Sequence, residues 1–590
     1  MENTKLTSYR KAVVETFNFE KSAKTIQEAY LRAIRIDREG YLVPLCENHL
    51  NDNELIKKLT EWRNANVDVY PTQFVATVES TLLWMKERLL KAPDCILFLV
   101  VDNTGKTIGH IGFNGCLNDD QLFEIDNVVR GDSSASPGLM SKAMITILEW
   151  ARITINVDGF FLRVMNDNPK AIDFYTRNSW VEDRRIPLVC ENNGHIISYR
   201  EAKIGEEKTK EFVQMKYVRK DDSGKSMILT AGPSISSREA VYSFDAAISG
   251  WNKEWSKYLT KFETAFAKYV GAKYALATSS CTGALQIALM SIDIGPGDEV
   301  IVPDVTWVAT ANAVRYVGAT PVFADIEIDT WNIDYRSVES LINSKTKAIV
   351  PVHMYGHPAR MDKILEVAKK YNLKIIEDAA PAIGAEWQDQ RCGSFGDLAA
   401  FSFQGAKLLV TGEGGMLVTS NEHIYEKAKK IWDQGRNPSK QFWIDGDGVK
   451  FKMSNIQAAL GLAQLERSDE LIEMKRRVFS WYEEGLQGVN HISLNKEVSG
   501  ARSIYWMSSL FLNESARISR DELMMKLKGQ NIDTRPVFTA ISQYPIWSRS
   551  QHPQPTALRV GSRALNLPSG VCLTKDEVMY VCRNIAEIMK

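Results

Sequence analysis

The stretch FSFQGAKLLVTGEGG, residues 401–415, sets one lysine, Lys407, among aromatic, apolar and glycine-rich residues. A lysine amine that loses its water loses its charge readily and becomes a nucleophile. Three further stretches suit such an amine. In ATSSCTGALQIALMSI, 277–292, small polar residues run directly into helical spacing. Ser280, Cys281 and Thr282 would there offer free amides and hydroxyls to a phosphate, or Ser280 or Thr282 would simply cap the helix. In LKIIEDAAPAIGA, 373–385, Asp378 closes an apolar run. A carboxylate in that place needs a cationic partner, either a basic side chain or a protonated ring nitrogen. In VPDVTWVATANAV, 302–314, Trp307 follows a strand pattern and either stacks on a flat ring or packs in the core.

Together the four stretches describe one chemistry. A phosphate seat, a carboxylate for a ring nitrogen, an aromatic face and an amine for an aldehyde are the needs of pyridoxal phosphate. Lys407 would then be catalytic, first as the covalent anchor and, once freed by an incoming amine, as the group that shuttles a proton.

The elements that must hold these residues alternate. EVIVP, TPVFADI, TKAIVPVHMYG and LKIIED read as buried strands, and FETAFAKYV and MDKILEVAKKY as amphipathic helices. Near-continuous apolar strands alternating with helices predict a mostly parallel sheet covered by helices, with the site at the strand ends. A chain of 590 residues is too long for one core. VRKDDSGKSMILTAGPSIS, 218–236, is the expected connection, being charged and then rich in Gly, Ser and Pro. The net charge of -1 gives no basic field for nucleic acid or an anionic membrane, and no uncharged apolar run approaches the ~20 residues a bilayer requires. The eight cysteines form no CxxC pair and read as reduced thiols of a cytosolic protein. His353 and His357 in HMYGH lack a third ligand and a shared helical face, so no metal site is expected.

From about residue 227 to 590 the chain resembles the sugar-nucleotide aminotransferases, fold-type-I pyridoxal phosphate enzymes, and most of all the GDP-perosamine synthases. The likeness is carried by FETAFAKYVGAKYALATSSCTGALQIAL, GPGDEVIVPDVTWVATANAV, FGDLAAFSFQGAKLLVTGEGGMLVT, DTRPVF and LNLPSG, among others. It implies that Lys407 joins the cofactor aldehyde, Asp378 partners the ring nitrogen, Trp307 stacks on the ring, and Cys281, Thr282 and Ser402 contact the phosphate. It also implies a small C-terminal subdomain and a homodimer. Four positions depart from the family pattern. Pro381 stands where Gln, Glu or His is usual, and Thr539 where His is frequent. Cys281 replaces a glycine, and Lys450 in GVKFKM replaces an asparagine that reaches the partner subunit's phosphate. Lysine can still serve there as a point charge.

The first part of the chain reads as two strands around DNTGK in residues 93–113, and a third in LFEIDNVVR. A turn into the helix SPGLMSKAMITILEWARIT follows, then a strand in GFFLRVMNDN and a helix starting at Pro169. Trp62, Trp84 and Trp150 are expected in the core. LRVMNDNPKAIDFYTRNSWVED resembles the GNAT N-acetyltransferases, with Ser179-Trp180 in place of Gly-Phe. That resemblance implies that amides around Gly138, Leu139 and Met140 bind the pyrophosphate of acetyl-CoA, although Met140 stands where a small residue is usual. It implies that Asn168 lies near the pantetheine arm and that Tyr175 protonates the leaving thiolate, although by its place in the helix pattern Tyr175 can as well be a packed helix tyrosine. Glu124 or Asp126 would take a proton from the acceptor ammonium, or be salt-bridged at a strand end.

The expected organisation is an extension over residues 1–36, a GNAT-like α/β domain over 37–222 and an aminotransferase domain over 223–590. The expected function is bifunctional: a keto sugar nucleotide, a 4-keto-6-deoxyhexose, is aminated from L-glutamate and then N-acetylated. The alternative is amination of another keto sugar, such as an oxidised octulosonate, beside a non-catalytic GNAT domain.

Overall fold

The computed structural model describes residues 2–37, 39–132, 137–155, 157, 159–194, 196–203, 205–218, 227–547 and 554–590. The chain divides into two compact units, Met1–Asp222 with Ile235–Val241, and Ser223–Ser234 with Tyr242–Lys590. Among the described residues no helix is long and apolar enough to cross a membrane.

The first unit is built on a ten-stranded sheet. Its elements in chain order are α1 (Glu2–Lys21), β1 (Ile34–Ile36), β2 (Gly40–Pro44), α2 (Asn53–Ala65), β3 (Thr72–Gln73), β4 (Ile96–Asp102), β5 (Thr107–Asn114), β6 (Leu122–Arg130), α3 (Leu139–Ile155), β7 (Gly159–Met165), α4 (Pro169–Arg177), β8 (Trp180–Asn192), β9 (Ile197–Glu201) and β10 (Lys210–Tyr217). The strand order is β1-β2-β4-β5-β6-β7-β10-β8-β9-β3. β6 and β7 run parallel but pair only where Leu122–Glu124 meets Gly159–Phe161. Beyond that point β7 pairs with β10 through Met165, while β6 continues against β5 to Arg130. The sheet therefore opens into a cleft on the C-terminal side of Glu124. Asn127, at φ +54, bulges β6 inside the cleft. Its carbonyl accepts the His110 Nδ1–H at 2.7 Å; burial holds His110 down at about 4, so the ring is neutral.

One face of this sheet packs on α3. Phe98, Phe113, Phe123 and Trp150 form the centre of the core with edge-on and stacked rings. Tyr9, Val13 and Phe17 of α1 are buried in the same core, so the first residues of the chain contribute to the unit's interior. Trp150 is a core residue as expected, while Trp62 and Trp84 are half-buried against a second cluster on the opposite side.

The second unit has a seven-stranded sheet of β11 (Tyr274–Thr278), β12 (Glu299–Pro303), β13 (Thr320–Ala324), β14 (Thr346–Ile349), β15 (Lys374–Asp378), β16 (Leu398–Ser402) and β17 (Gly415–Thr419). The order is β11-β17-β16-β15-β14-β12-β13. Only β17 runs against the others, so the expected mostly parallel sheet is present. Its strands are buried along nearly their whole length, which is why they read as continuous apolar runs. A four-stranded antiparallel sheet between Ile492 and Asn566 forms the small C-terminal subdomain.

Candidate active sites

In the second unit, three parts of the chain far apart in sequence meet at the ends of β15 and β16. The helix Cys281–Ser291 (α5) begins immediately beyond β11, with Ser280 as its N-cap: its Oγ accepts the Gly283 N–H at 3.1 Å. The plainer reading of Ser280 is thus present, and the cap leaves the first-turn amides pointing outward. Gly415 explains how this helix start comes so close to the lysine loop. A Cβ there would lie 2.5 Å from the Cys281 nitrogen, so only glycine fits.

Lys407 sits in a loop folded back on itself: Phe403 N–H donates to Gly414, Gly405 N–H to Gly412 and Lys407 N–H to Gln404. Its Nζ lies 3.7 Å from the centre of the Trp506 ring, and the Trp506 indole N–H fixes the neighbouring Ala406 carbonyl at 2.8 Å. Lys407 is half-buried. Loss of water around the amine draws its pKa down to about 8, against the pull of Asp378 and Cys281. The shift favours the free, nucleophilic amine.

Asp378 ends β15 and is buried. Thr310 Oγ1 donates to it at 2.8 Å and the Ala380 N–H at 3.2 Å. Burial raises its proton affinity, and Thr310, Ala380, Lys407 and His353 oppose the rise. The Cys281 thiol is pushed well up by burial and by Asp378, with Lys407 acting the other way. Amine, carboxylate and helix start thus lie within electrostatic reach of one another. Ser402 is buried at the end of β16.

Trp307 is not a core residue: it is 59% exposed and leans on Phe538, with ring centres 5.7 Å apart. Phe538 stacks on Tyr355, and Tyr355 on Trp506, at 5.5 and 5.8 Å. An aromatic wall therefore runs from Trp307 to the ring that covers Lys407. Thr310, Tyr355 and Trp506 are site residues that no motif marks; Thr310 lies in the first turn of the helix Ala309–Tyr316, and its N–H donates to the Trp307 carbonyl at 3.3 Å. Pro381 is buried in the turn after Asp378 and Thr539 is half-buried. Lys450 is exposed; the carbonyl of Phe451 beside it accepts the Ser279 N–H at 2.6 Å, so the backbone at Lys450 runs past the α5 start of its own chain. His353 is spent on Glu377 at 3.0 Å, and His357 accepts the Val498 N–H at 3.2 Å.

A bound pyridoxal phosphate would meet matching groups here. A partly deprotonated lysine stands beside a buried acid that has no arginine or lysine hydrogen-bonded to it among the described residues, and a capped helix start supplies amides for the phosphate.

In the first unit the candidate residues line the β6–β7 cleft. Gly138, at φ +89, turns the chain into α3, whose first-turn amides include Leu139 and Met140. Met140 is buried, with its sulfur 3.3 Å from where a Cβ on Gly109 would sit; the large residue is accommodated by a glycine on β5. Asn168 caps α4, its Oδ1 accepting the Ala171 N–H at 3.2 Å. Glu124 is clamped by Arg163, whose Nε and Nη2 donate at 2.7 and 2.9 Å. This is the salt-bridged alternative for Glu124, with both carboxylate oxygens accepting from one guanidinium. Asp126, two residues on, accepts only from Asn127 among the described residues, and burial raises its proton affinity. The Tyr175 hydroxyl is pushed up by burial, by Asp126 and by Tyr70, so the three lie within electrostatic reach of one another.

Comparison with known proteins gives two matches. The model of the DegT/DnrJ/EryC1/StrS aminotransferase family matches residues 233–586, and that of the acetyltransferase (GNAT) family matches residues 59–180. The chain is 39% identical over 355 residues to the GDP-perosamine synthase of Escherichia coli O157:H7, covering 60% of this chain and 96% of that one. It is 39% identical over 364 residues to the GDP-perosamine synthase of Caulobacter vibrioides, covering 61% and 98%. In structure it resembles Helicobacter pylori PseC, an aminotransferase involved in the biosynthesis of pseudoaminic acid, with a TM-score of 0.59, 25% identity, and coverage of 62% of this chain and 99% of that one.

Proposed function

Since this chain belongs to the DegT/DnrJ/EryC1/StrS aminotransferase family and carries a GNAT domain, we propose that it performs two consecutive steps on one sugar. The second unit would aminate a keto sugar nucleotide, a 4-keto-6-deoxyhexose, with L-glutamate as the donor. The first unit would then transfer an acetyl group from acetyl-CoA to the new amine. The domains would divide at residue 222. The order follows from chemistry, because the first product is an amine and the second reaction consumes one.

The observation that carries the first step is the meeting of Lys407, Asp378 and the α5 start. Pyridoxal phosphate, when bound, supplies an electron sink for the carbon that gains or loses the amino group. Lys407, with a pKa near 8, can take a proton from that carbon and return it at working pH. Asp378 would hold the proton on the ring nitrogen, Trp307 would cover the ring face, and Ser280, Cys281, Thr282 and Ser402 would hold the phosphate. Lys450 would meet a phosphate as a point charge. For the second step, Asp126 would accept the proton of the acceptor ammonium and Tyr175 would protonate the leaving thiolate sulfur. The amides of Gly138, Leu139 and Met140 would hold the donor pyrophosphate, with Asn168 ordering the start of α4 beside the cleft. The chain would pair with a second copy of itself; Phe442, 88% exposed, and the exposed Trp443, Ile444 and Trp251 are apolar side chains that such a contact would cover.

The purified chain should absorb in the visible, and borohydride should leave a pyridoxyl mass on the peptide containing Lys407; a colourless protein would overturn the first step. Mass spectrometry of products from a panel of keto sugar nucleotides, glutamate and acetyl-CoA then names the sugar. The other reading, a non-catalytic GNAT domain, draws support from the bulky Met140; it prevails if acetyl-CoA releases no free thiol with any amino sugar.

A further inference from the structure

Arg63 lies in the last turn of α2 and is held against the cleft by the chain that follows it. Its Nη2 donates to the Thr72 carbonyl at 2.6 Å. Its guanidinium lies flat on Tyr70, 3.5 Å from the ring centre, with Phe74 at 5.2 Å. The adjacent Asn64 ties the same segment down through both a donated and an accepted bond to Ala76, at 2.9 and 2.7 Å. The segment is therefore anchored without further help from Arg63. Yet Nη1 of Arg63 is buried and has no hydrogen-bond partner among the described residues. No carboxylate bears on its charge either: the group that interacts with it electrostatically is Tyr70. A buried N–H donor left unpaired costs about 1–3 kcal/mol, and more when charged, so such a group is retained where something else supplies the oxygen. Tyr70 also feels Asp126, and Tyr175 feels both. One face of Tyr70 thus carries the unpaired cation, with Asp126 and Tyr175 within electrostatic reach of Tyr70; Trp62, the residue before Arg63, packs 6.3 Å from the ring of His110, which is bound to the β6 bulge next to Asp126.

We infer that Arg63 is the acceptor-binding cation of the first unit, its Nη1 receiving an anionic oxygen of the amino sugar while the amine lies at Asp126. The inference rests on the proposed acetyl transfer and adds the acceptor's chemical class: a sugar carrying a phosphate or a carboxylate. A neutral sugar could offer Nη1 a hydroxyl oxygen but would leave the charge of the guanidinium unmatched, whereas an anion meets both the donor and the charge. A guanidinium fork on Tyr70 also orients the bound anion, as a flexible lysine would not.

The test compares the full-length wild type with Arg63→Gln and Arg63→Lys. Thiol release from acetyl-CoA is followed with three acceptors: an amino sugar nucleotide, the same amino sugar without its nucleotide, and an amino sugar acid. Arg63→Gln should raise KM about 10- to 100-fold for whichever anionic acceptor is used, with KM for acetyl-CoA, the rate on the neutral sugar and the unfolding temperature unchanged. Arg63→Lys should fall between. The acceptor arm that shows the effect tells phosphate from carboxylate. An unchanged KM for both anionic acceptors overturns the inference. So does a parallel rise of both substrates' KM with a lowered unfolding temperature, which marks a purely structural arginine. Calorimetry with the amino sugar nucleotide separates the inference from the acetyl-transfer reading. If wild type releases no thiol yet binds at two sites, of which Arg63→Gln loses one, the transfer fails and the anion site stands; if both events survive in Arg63→Gln, the site itself is refuted.

Discussion

At the site of the second unit, an amine stripped of water is left beside one buried acid; at that of the first, an acid is stripped of water while its neighbour two residues away is clamped by an arginine. Lys407 and Asp378 shift in ways that ready the lysine to give up its proton. Asp126 and Tyr175 both shift toward holding theirs. Covalent capture of an aldehyde needs a free amine in the resting protein, so its perturbation must be built in. Acyl transfer needs a base and an acid only while the acceptor is bound, and the acceptor's ammonium would itself pull Asp126 back toward its ordinary range. The contrast also shows in backbone: the lysine loop is fixed by the hydrogen bonds of Phe403 to Gly414, of Gly405 to Gly412 and of Trp506 to Ala406, whereas the cleft exists because two strands stop pairing.

If the sites are as separate as this contrast requires, Lys407→Ala should lower amino transfer at least about 10³-fold while acetylation of a supplied amino sugar continues at the wild-type rate. Coupled loss of both activities in a product assay would break the comparison. Tyr175→Phe is the reciprocal experiment. It should lower kcat for thiol release by about 10² and leave amino transfer untouched.

A pH experiment sharpens the contrast in the second unit. Lys475, buried on α6 (Ser468–Gly485), donates to the carbonyls of Trp506 at 2.9 Å and Ser569 at 2.5 Å, and burial draws its pKa to about 7. Its unfolded value is about 10.4, so between these two the folded chain binds fewer protons than the unfolded one. Stability must then rise with pH from about 7 toward 10, and the penalty is at its full size below 7. Lys475→Met should remove this rise, by a slope approaching one proton, in chemical denaturation followed from pH 7 to 10. An unchanged slope would mean that Lys475 keeps its charge on burial. The smallest effect belongs to the first unit. Ser179 sits at φ +69 where the resembling family has glycine, a left-handed conformation costing roughly 1 kcal/mol for a residue with a Cβ. Ser179→Gly should stabilise that unit by up to about 1 kcal/mol in thermal unfolding.

Much of both folds was legible. The strands and helices named from EVIVP, LKIIED, LFEIDNVVR and the Pro169 helix appear where their periodicities put them, because burial on both faces or on one stripe leaves a direct mark on residue order. Gly138 and Gly415 were legible as punctuation but not as contacts. The residues around Trp307 leave open whether it packs in the core or faces a ring, and it lies exposed: an aromatic flanked by apolar residues reads the same in either place. Glu124 and Asp126 were indistinguishable in sequence; Arg163, which separates them, lies on another strand. Tyr355, Trp506 and Arg63 carry no local pattern that marks them as site residues.

The order of residues alone determined that two α/β units follow one another, that one lysine stands in a glycine-rich loop, and that an acid and a helix start each follow a buried strand. Those are statements about neighbours along the chain, and short-range periodicity and turn chemistry decide them. Only the tertiary structure decided that Lys407 loses its water, that Asp378 and Cys281 are the groups it feels, that Arg163 clamps Glu124 and leaves Asp126 to Asn127, and that Arg63 keeps a donor unpaired. Desolvation and charge pairing depend on which distant segments meet, and that is set by the packing of the sheets.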